Sequence, residues 1–170
     1  MIIKSKNFIL RYPKLSDCKN NFEIQQDKET IMNFMSHPKN LTEAKKEIIS
    51  AIKENNKKLK TSENFAIDVN GEYAGGISIW GIVKNHMCHI TYNLGEKYRG
   101  KGIVSEAVKL LCDYAFKKYN LVRIEAGVRE YNKASIKILE KNGFKLEGIK
   151  RKAVFKQGKY YDDLIYAKVK

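Results

Sequence analysis

Residues 98–107 read Tyr98-Arg99-Gly100-Lys101-Gly102-Ile103-Val104-Ser105-Glu106-Ala107. The chain holds 11 glycines in 170 residues, and two of them flank this one lysine. A turn needs one glycine at most, so a pair around a charged residue implies backbone that must come close to something. Directly afterwards, Val104, Ala107, Val108, Leu111 and Ala115 recur at helical spacing and predict a helix over about 104–119. A helix start offers unpaired N–H groups and the positive end of its dipole, and glycines before it let those groups close on a phosphate. Arg99 and Lys101 add positive charge at the same spot.

Working outward, residues 87–94 precede this loop as a strand. On it Cys88, Ile90, Tyr92 and Leu94 form an apolar face, and Met87, His89, Thr91 and Asn93 a mostly polar one. Upstream, alternation over 65–69, the turn Asn70-Gly71, a strand over 73–83 and a turn at Lys84-Asn85 make an antiparallel meander. Before that lie a strand at 7–12, a broken helical stretch over 16–34 pausing near Asp27, and a helix from about 42 to 59 with Thr42 as its N-cap. Downstream, a strand at 123–128, a helix at 132–142 stopped by Asn142-Gly143, and two strands at 150–156 and 160–168 complete the chain. Helices and a meander followed by helix–strand–helix–strand–strand define an α+β fold with a mixed sheet. The length fits one domain over 1–170.

Lysine and arginine number 33 against 19 acidic residues, a formal net charge of +14. Such a surface attracts anions: nucleotides, phosphorylated cofactors, RNA or acidic membranes. Cys18, Cys88 and Cys112 stand far apart with no CxxC pairing, which fits reduced thiols in the cytoplasm and excludes a disulfide framework. No histidine spacing suggests a metal site. The opening MIIKSKNFIL is too short and lysine-interrupted for a signal peptide, and no apolar run reaches the ~20 residues of a membrane span.

Several motifs, in order, carry a family resemblance. Arg99-Gly100-Lys101-Gly102-Ile103-Val104 resembles the Q/R-x-x-G-x-G/A signature of the GNAT acetyltransferases, with Val104 departing from the final small residue. Asn132-Lys133-Ala134-Ser135 and Asn142-Gly143-Phe144-Lys145-Leu146-Glu147-Gly148 are similar to a second family segment. The opening strand Phe8-Ile9-Leu10-Arg11-Tyr12 and the ending Gly158-Lys159-Tyr160-Tyr161-Asp162 resemble the ribosomal-protein N-acetyltransferase branch. The resemblance implies a mixed, mainly antiparallel sheet of about seven strands flanked by helices and splayed at the cofactor site. It implies transfer of the acetyl group of acetyl-CoA to a primary amine, with no metal. Backbone amides of Arg99, Gly100, Lys101, Gly102, Ile103 and Val104 would hold the pyrophosphate. An amide near Leu94 would polarise the thioester carbonyl, and Asn132 would reach the pantetheine arm while capping its helix.

Catalytic groups depart from that pattern. Where many relatives place a tyrosine acid, this chain has Leu139, and a family glutamate position holds Val154. Ser135 matches a serine that the branch uses near the sulfur, and His89 falls at another family glutamate. A histidine on a polar strand face titrates near neutrality and is a candidate base, with a merely solvated imidazole as the alternative. Trp80 reads as core or cleft wall; Asp162 matches a family position or anchors the Tyr160 and Tyr161 hydroxyls. Acceptors to be weighed are a protein or peptide N-terminus, that of a ribosomal protein included, a polyamine, an aminoglycoside or another small amine. High cationic charge disfavours a polyamine. A non-catalytic CoA-binding protein, or a ribosome- or RNA-associated one, is the rival class. Nine basic and three acidic residues over 141–170 feed it, although no RNA-binding motif is present. Monomer and homodimer both remain open.

Overall fold

A computed structural model describes residues 2–170, leaving Met1 of the opening segment outside it. Strands β1 (Ile2–Lys4) and β2 (Ile9–Arg11) lead into helices α1 (Cys18–Gln25), α2 (Lys28–Asn33) and α3 (Leu41–Asn55). The meander follows as β3 (Ser62–Val69), β4 (Glu72–Val83) and β5 (Met87–Leu94). Then come α4 (Ile103–Tyr119), β6 (Arg123–Arg129), α5 (Lys133–Lys141), β7 (Lys145–Lys156) and β8 (Lys159–Val169).

The strands form one eight-stranded sheet in the order β1-β2-β3-β4-β5-β6-β8-β7. Every neighbouring pair is antiparallel except β5 with β6. Turn chemistry explains the hairpins. Asn70-Gly71 and Gln157-Gly158 both hold two successive left-handed residues, which twists the flanking strands compatibly. α4 lays Val104, Ala107, Val108, Leu111, Cys112 and Ala115 on the sheet, against the row Cys88, Ile90 and Leu94 of β5. At the other end of the chain, Arg11 of β2 is buried and donates from Nε to Asp68 at 2.5 Å and from both terminal nitrogens to Asp17 at 2.8 Å. A buried guanidinium needs such partners, and this one ties β2 to β3 and to the turn before α1.

The structure corrects the sequence reading at several boundaries. The sheet has eight strands because three residues, Ile2–Lys4, pair with β2, too few to show alternation. Asn40 caps α3 through its side-chain oxygen at 3.0 Å from the Glu43 amide, so Thr42 lies inside the helix, which ends at Asn55. β7 begins five residues earlier than expected, since register shifts at Leu146/Gly148 and Lys150/Val154 break its period. Asp27, the expected pause, is the N-cap of α2.

Candidate active site

β5 and β6 pair only at Met87–Arg123, Cys88–Ile124 and His89–Glu125. Beyond His89 the strands part: β6 stays with β8 along its whole length, while β5 stays with β4. The sheet is therefore splayed at this point, leaving Ile90–Leu94 without a strand on one side. Two cavities of about 380 and 350 Å³ open there. One runs from Tyr92 and Leu94 past Gly100, Gly102 and Val104 to Ser135. The second is walled by Phe34, Trp80, Thr91, Val128, Arg129 and Leu139. Asn33, Phe34, Tyr92, Asn132 and Ser135 line both, so the cavities meet across the breach in the sheet.

The opening question has a geometric answer. Gly100 and Gly102 both sit at φ +75°, a left-handed conformation that side chains resist. Gly102 is also the N-cap of α4 and supplies no capping side chain. Among the described residues, no oxygen accepts from the amides of Gly100, Lys101, Gly102, Ile103, Val104 or Ser105. A Cβ at Gly100 or Gly102 would meet nothing within 4 Å, so the space before these amides is open. Unpaired donors at the positive end of a 17-residue helix fit a pyrophosphate.

The side chains of the loop behave differently from expectation. Arg99 spends its guanidinium inside the protein: Nε donates to the Leu94 carbonyl at 3.1 Å, and the terminal nitrogens pair with Asp27 at 2.6 Å and Glu29 at 2.8 Å. It braces the loop against α2 while lining the first cavity. Lys101 donates to the Lys97 carbonyl at 2.8 Å and lines a neighbouring hollow with Lys109, Lys141 and Lys168. The charge of Arg99 is thus balanced by two carboxylates, whereas Lys101 keeps its charge beside the cradle.

Ser135 stands in the first turn of α5, and Asn132 caps that helix by accepting from the Ser135 amide at 3.0 Å. The Ser135 hydroxyl lies 2.7 Å from the Tyr92 hydroxyl, across the breach. Tyr92 was not singled out by sequence reasoning because it falls in the apolar row of β5; a phenol in a row of core residues was the available signal. Burial pushes the Tyr92 phenol up to about 12, so it keeps its proton at working pH. Leu139 is 1% exposed and offers no proton.

His89 lies elsewhere. It belongs to the closed part of the β5–β6 pair, stacks on Trp80 with ring centroids 4.3 Å apart, and has Nδ1 3.7 Å from Glu125. It lines neither cavity, whereas Thr91, the next residue on its face, lines the second. Trp80 is cleft wall. Asp162 accepts from the Lys152 amide at 2.8 Å and braces a bulge of β7 instead of anchoring tyrosine hydroxyls. Cys88 and Cys112 are buried, and burial pushes both thiols up to about 12. Among the described residues no helix is long and apolar enough to cross a membrane, and no cluster of three or more His, Cys, Asp or Glu could hold a metal.

Comparison with known proteins gives the family. Residues 7–145 match the family described as "Acetyltransferase (GNAT) domain". A probable N-acetyltransferase, YjcK of Bacillus subtilis (strain 168), is 30% identical over 98% of this chain and 96% of its own. The spermidine N(1)-acetyltransferase of Escherichia coli (strain K12) is 30% identical over 59% of this chain and 55% of its own. Among solved structures, RimL, a ribosomal L7/L12 alpha-N-protein acetyltransferase in complex with coenzyme A, superimposes with a TM-score of 0.89 at 23% identity, covering 99% of this chain and 98% of that one. These matches make the chain a member of the GNAT acetyltransferase family. It is an N-acetyltransferase.

Proposed function

We propose that the acceptor is the α-amine of a peptide or protein N-terminus, or a small amine of low charge, entering by the second cavity. The carrying observation is the chemistry of that cavity's wall. Phe34, Trp80, Ile90, Val128 and Leu139 supply apolar surface, and among the described residues no carboxylate belongs to the lining. The cation in the wall, Arg129, pairs with Asp163 at 2.5 Å, so neither charge is free. A polyamine carries several charges that need carboxylates, and a protein of net charge +14 repels it. The spermidine relative marks the competing reading, and the cavity wall speaks against carrying its substrate over.

In this reading acetyl-CoA supplies the acetyl group, with its pyrophosphate on the amides of Gly100 to Val104 and its pantetheine arm along the unpaired side of β5. An amide near Leu94 polarises the thioester carbonyl, and Ser135 stands by the sulfur. His89, held by Trp80 and Glu125, is given no part in the proton transfer. Free cysteines fit a reducing compartment, and we place the protein in the cytoplasm.

The test is a turnover screen with acetyl-CoA, reading released thiol, across N-terminal peptides, polyamines, aminoglycosides and amino acids. Peptides should give the highest kcat/KM. The rate should climb with pH along a limb near 8, the range of an α-amine, and not near the ~10.4 of lysine. A spermidine rate exceeding every peptide overturns the acceptor assignment. Tight acetyl-CoA binding with no turnover on any amine favours a non-catalytic role.

A further inference from the structure

The polar group that the family resemblance did not anticipate is Tyr92. Its neighbours in the row, Cys88, Ile90 and Leu94, are closed into the core at 0, 4 and 7% exposure. Tyr92 breaks the row at the point where β6 has already turned away, and its hydroxyl finds Ser135 on the opposite wall at 2.7 Å. β5 and α5 form the two sides of the breach, so this hydrogen bond spans it.

Position separates a relay from a phenol that has merely found a partner. The five side chains common to both cavities are Asn33, Phe34, Tyr92, Asn132 and Ser135. Of these, only the two hydroxyls can accept a proton and give one up in the same motion; carboxamides and a phenyl ring cannot. They are hydrogen-bonded to each other, and the Asn132 cap holds the turn that carries Ser135. One cavity contains the cradle amides, and the other is the acceptor's entry in the acetyl-transfer reading, on which this inference rests, so in that reading the hydroxyl pair lies between amine and sulfur. Leu139 is sealed in the wall and offers no proton.

We propose that Tyr92 and Ser135 act as one two-hydroxyl relay that carries the acceptor's proton to the departing sulfur. The amine first loses its ammonium proton to solvent. As the nitrogen bonds to the acetyl carbon and the carbon–sulfur bond breaks, the nitrogen must shed one more proton and the sulfur must gain one. The nitrogen's proton passes to the Tyr92 oxygen, the Tyr92 proton to Ser135, and the Ser135 proton to sulfur. Both hydroxyls end neutral, so the high pKa of the phenol is no obstacle; no other co-reactant is needed.

Tyr92→Phe, Ser135→Ala and the double variant test the relay, each checked for an unchanged melting temperature. Tyr92→Phe should lower kcat roughly 10- to 100-fold, at or below the lower end of what a proton-transfer group contributes, with KM for acetyl-CoA within about twofold. The double variant should be no more than about threefold slower than the slower single variant, because both changes break one path. A second reading needs no acceptor at all. The thiol of bound CoA, titrated by thiolate absorbance, should be more acidic than free CoA, and Tyr92→Phe should raise it by about half a unit or more as Ser135 loses its backing hydrogen bond. Multiplicative losses, a kcat within about threefold of wild type, or an unmoved thiol titration in Tyr92→Phe overturns the relay. Absence of turnover in the wild type would count against the acceptor reading alone, and the thiol titration would still decide this one.

Discussion

At Gly102 the backbone is left-handed at φ +75°, and a Cβ built there touches no protein atom within 4 Å. The two facts separate stability from binding. Gly102→Ala should cost about 1–2 kcal/mol, the strain of a side chain in that conformation, and Gly102→Asn clearly less. Thermal melts of the two variants check this order. Gly102→Glu puts a carboxylate into the open space that the cradle amides face. Wild type should gain about 2.7 kcal/mol of stability at acetyl-CoA a hundredfold above its Kd, and Gly102→Glu should gain none. A full acetyl-CoA shift in the glutamate variant would remove the phosphate from this loop. Arg99, by contrast, was legible as a motif residue but not as a brace, because Asp27 lies 72 residues away in sequence.

Among the elements, α4 carries the cradle at its first turn and is pinned near its other end by a buried carboxylate. Glu63 of β3 is 0% exposed and accepts from Tyr114 at 2.9 Å, Tyr119 at 2.7 Å and Lys118 at 2.9 Å, with the Tyr12 hydroxyl also bonded to it. Burial works against the charge, yet hydrogen bonds from Tyr12, Tyr119 and Lys118 hold the carboxyl below its ordinary range. Glu63→Ala strands three hydroxyls and an ammonium, and should cost about 3–5 kcal/mol in denaturant unfolding. A depressed carboxyl stabilises the fold above its unfolded pKa of about 4.3 and loses that contribution as pH falls further. Stability of the wild type should therefore drop below that pH, and Glu63→Gln should flatten part of the drop. An unchanged acid limb in the glutamine variant would show that other carboxylates dominate it. None of this network is visible in sequence, where Glu63 is one acidic residue in a polar run before a strand.

For the whole molecule, a net charge of +14 surrounds a site whose own cations are mostly committed. Lys101, Lys109, Lys141 and Lys168 gather in a hollow beside the cradle, and the field they add is long-range. Steering of this kind is screened as the Debye length falls from ~10 Å at 0.1 M salt to ~3 Å at 1 M. KM for acetyl-CoA should rise at least about threefold between low salt and 0.5 M sodium chloride, with kcat nearly constant. A flat KM would assign cofactor capture to the backbone cradle alone.

Element types, the glycine turn before α4 and family membership were readable from the chain, because each rests on local information: the period of apolar residues, left-handed turn residues and a short ordered set of motifs. Boundaries slipped where that local signal failed, as in the bulged β7 and the three-residue β1. The tertiary structure alone decided which side chains line the cavities. Strand register keeps β5 and β6 together as far as His89–Glu125 and apart afterwards, which leaves His89 outside the cleft and Tyr92 inside it. Tyr92 and Ser135 meet across 43 residues of sequence. Hydrogen-bond partners so far apart are set by packing and register, and nothing in the neighbourhood of either residue encodes the meeting.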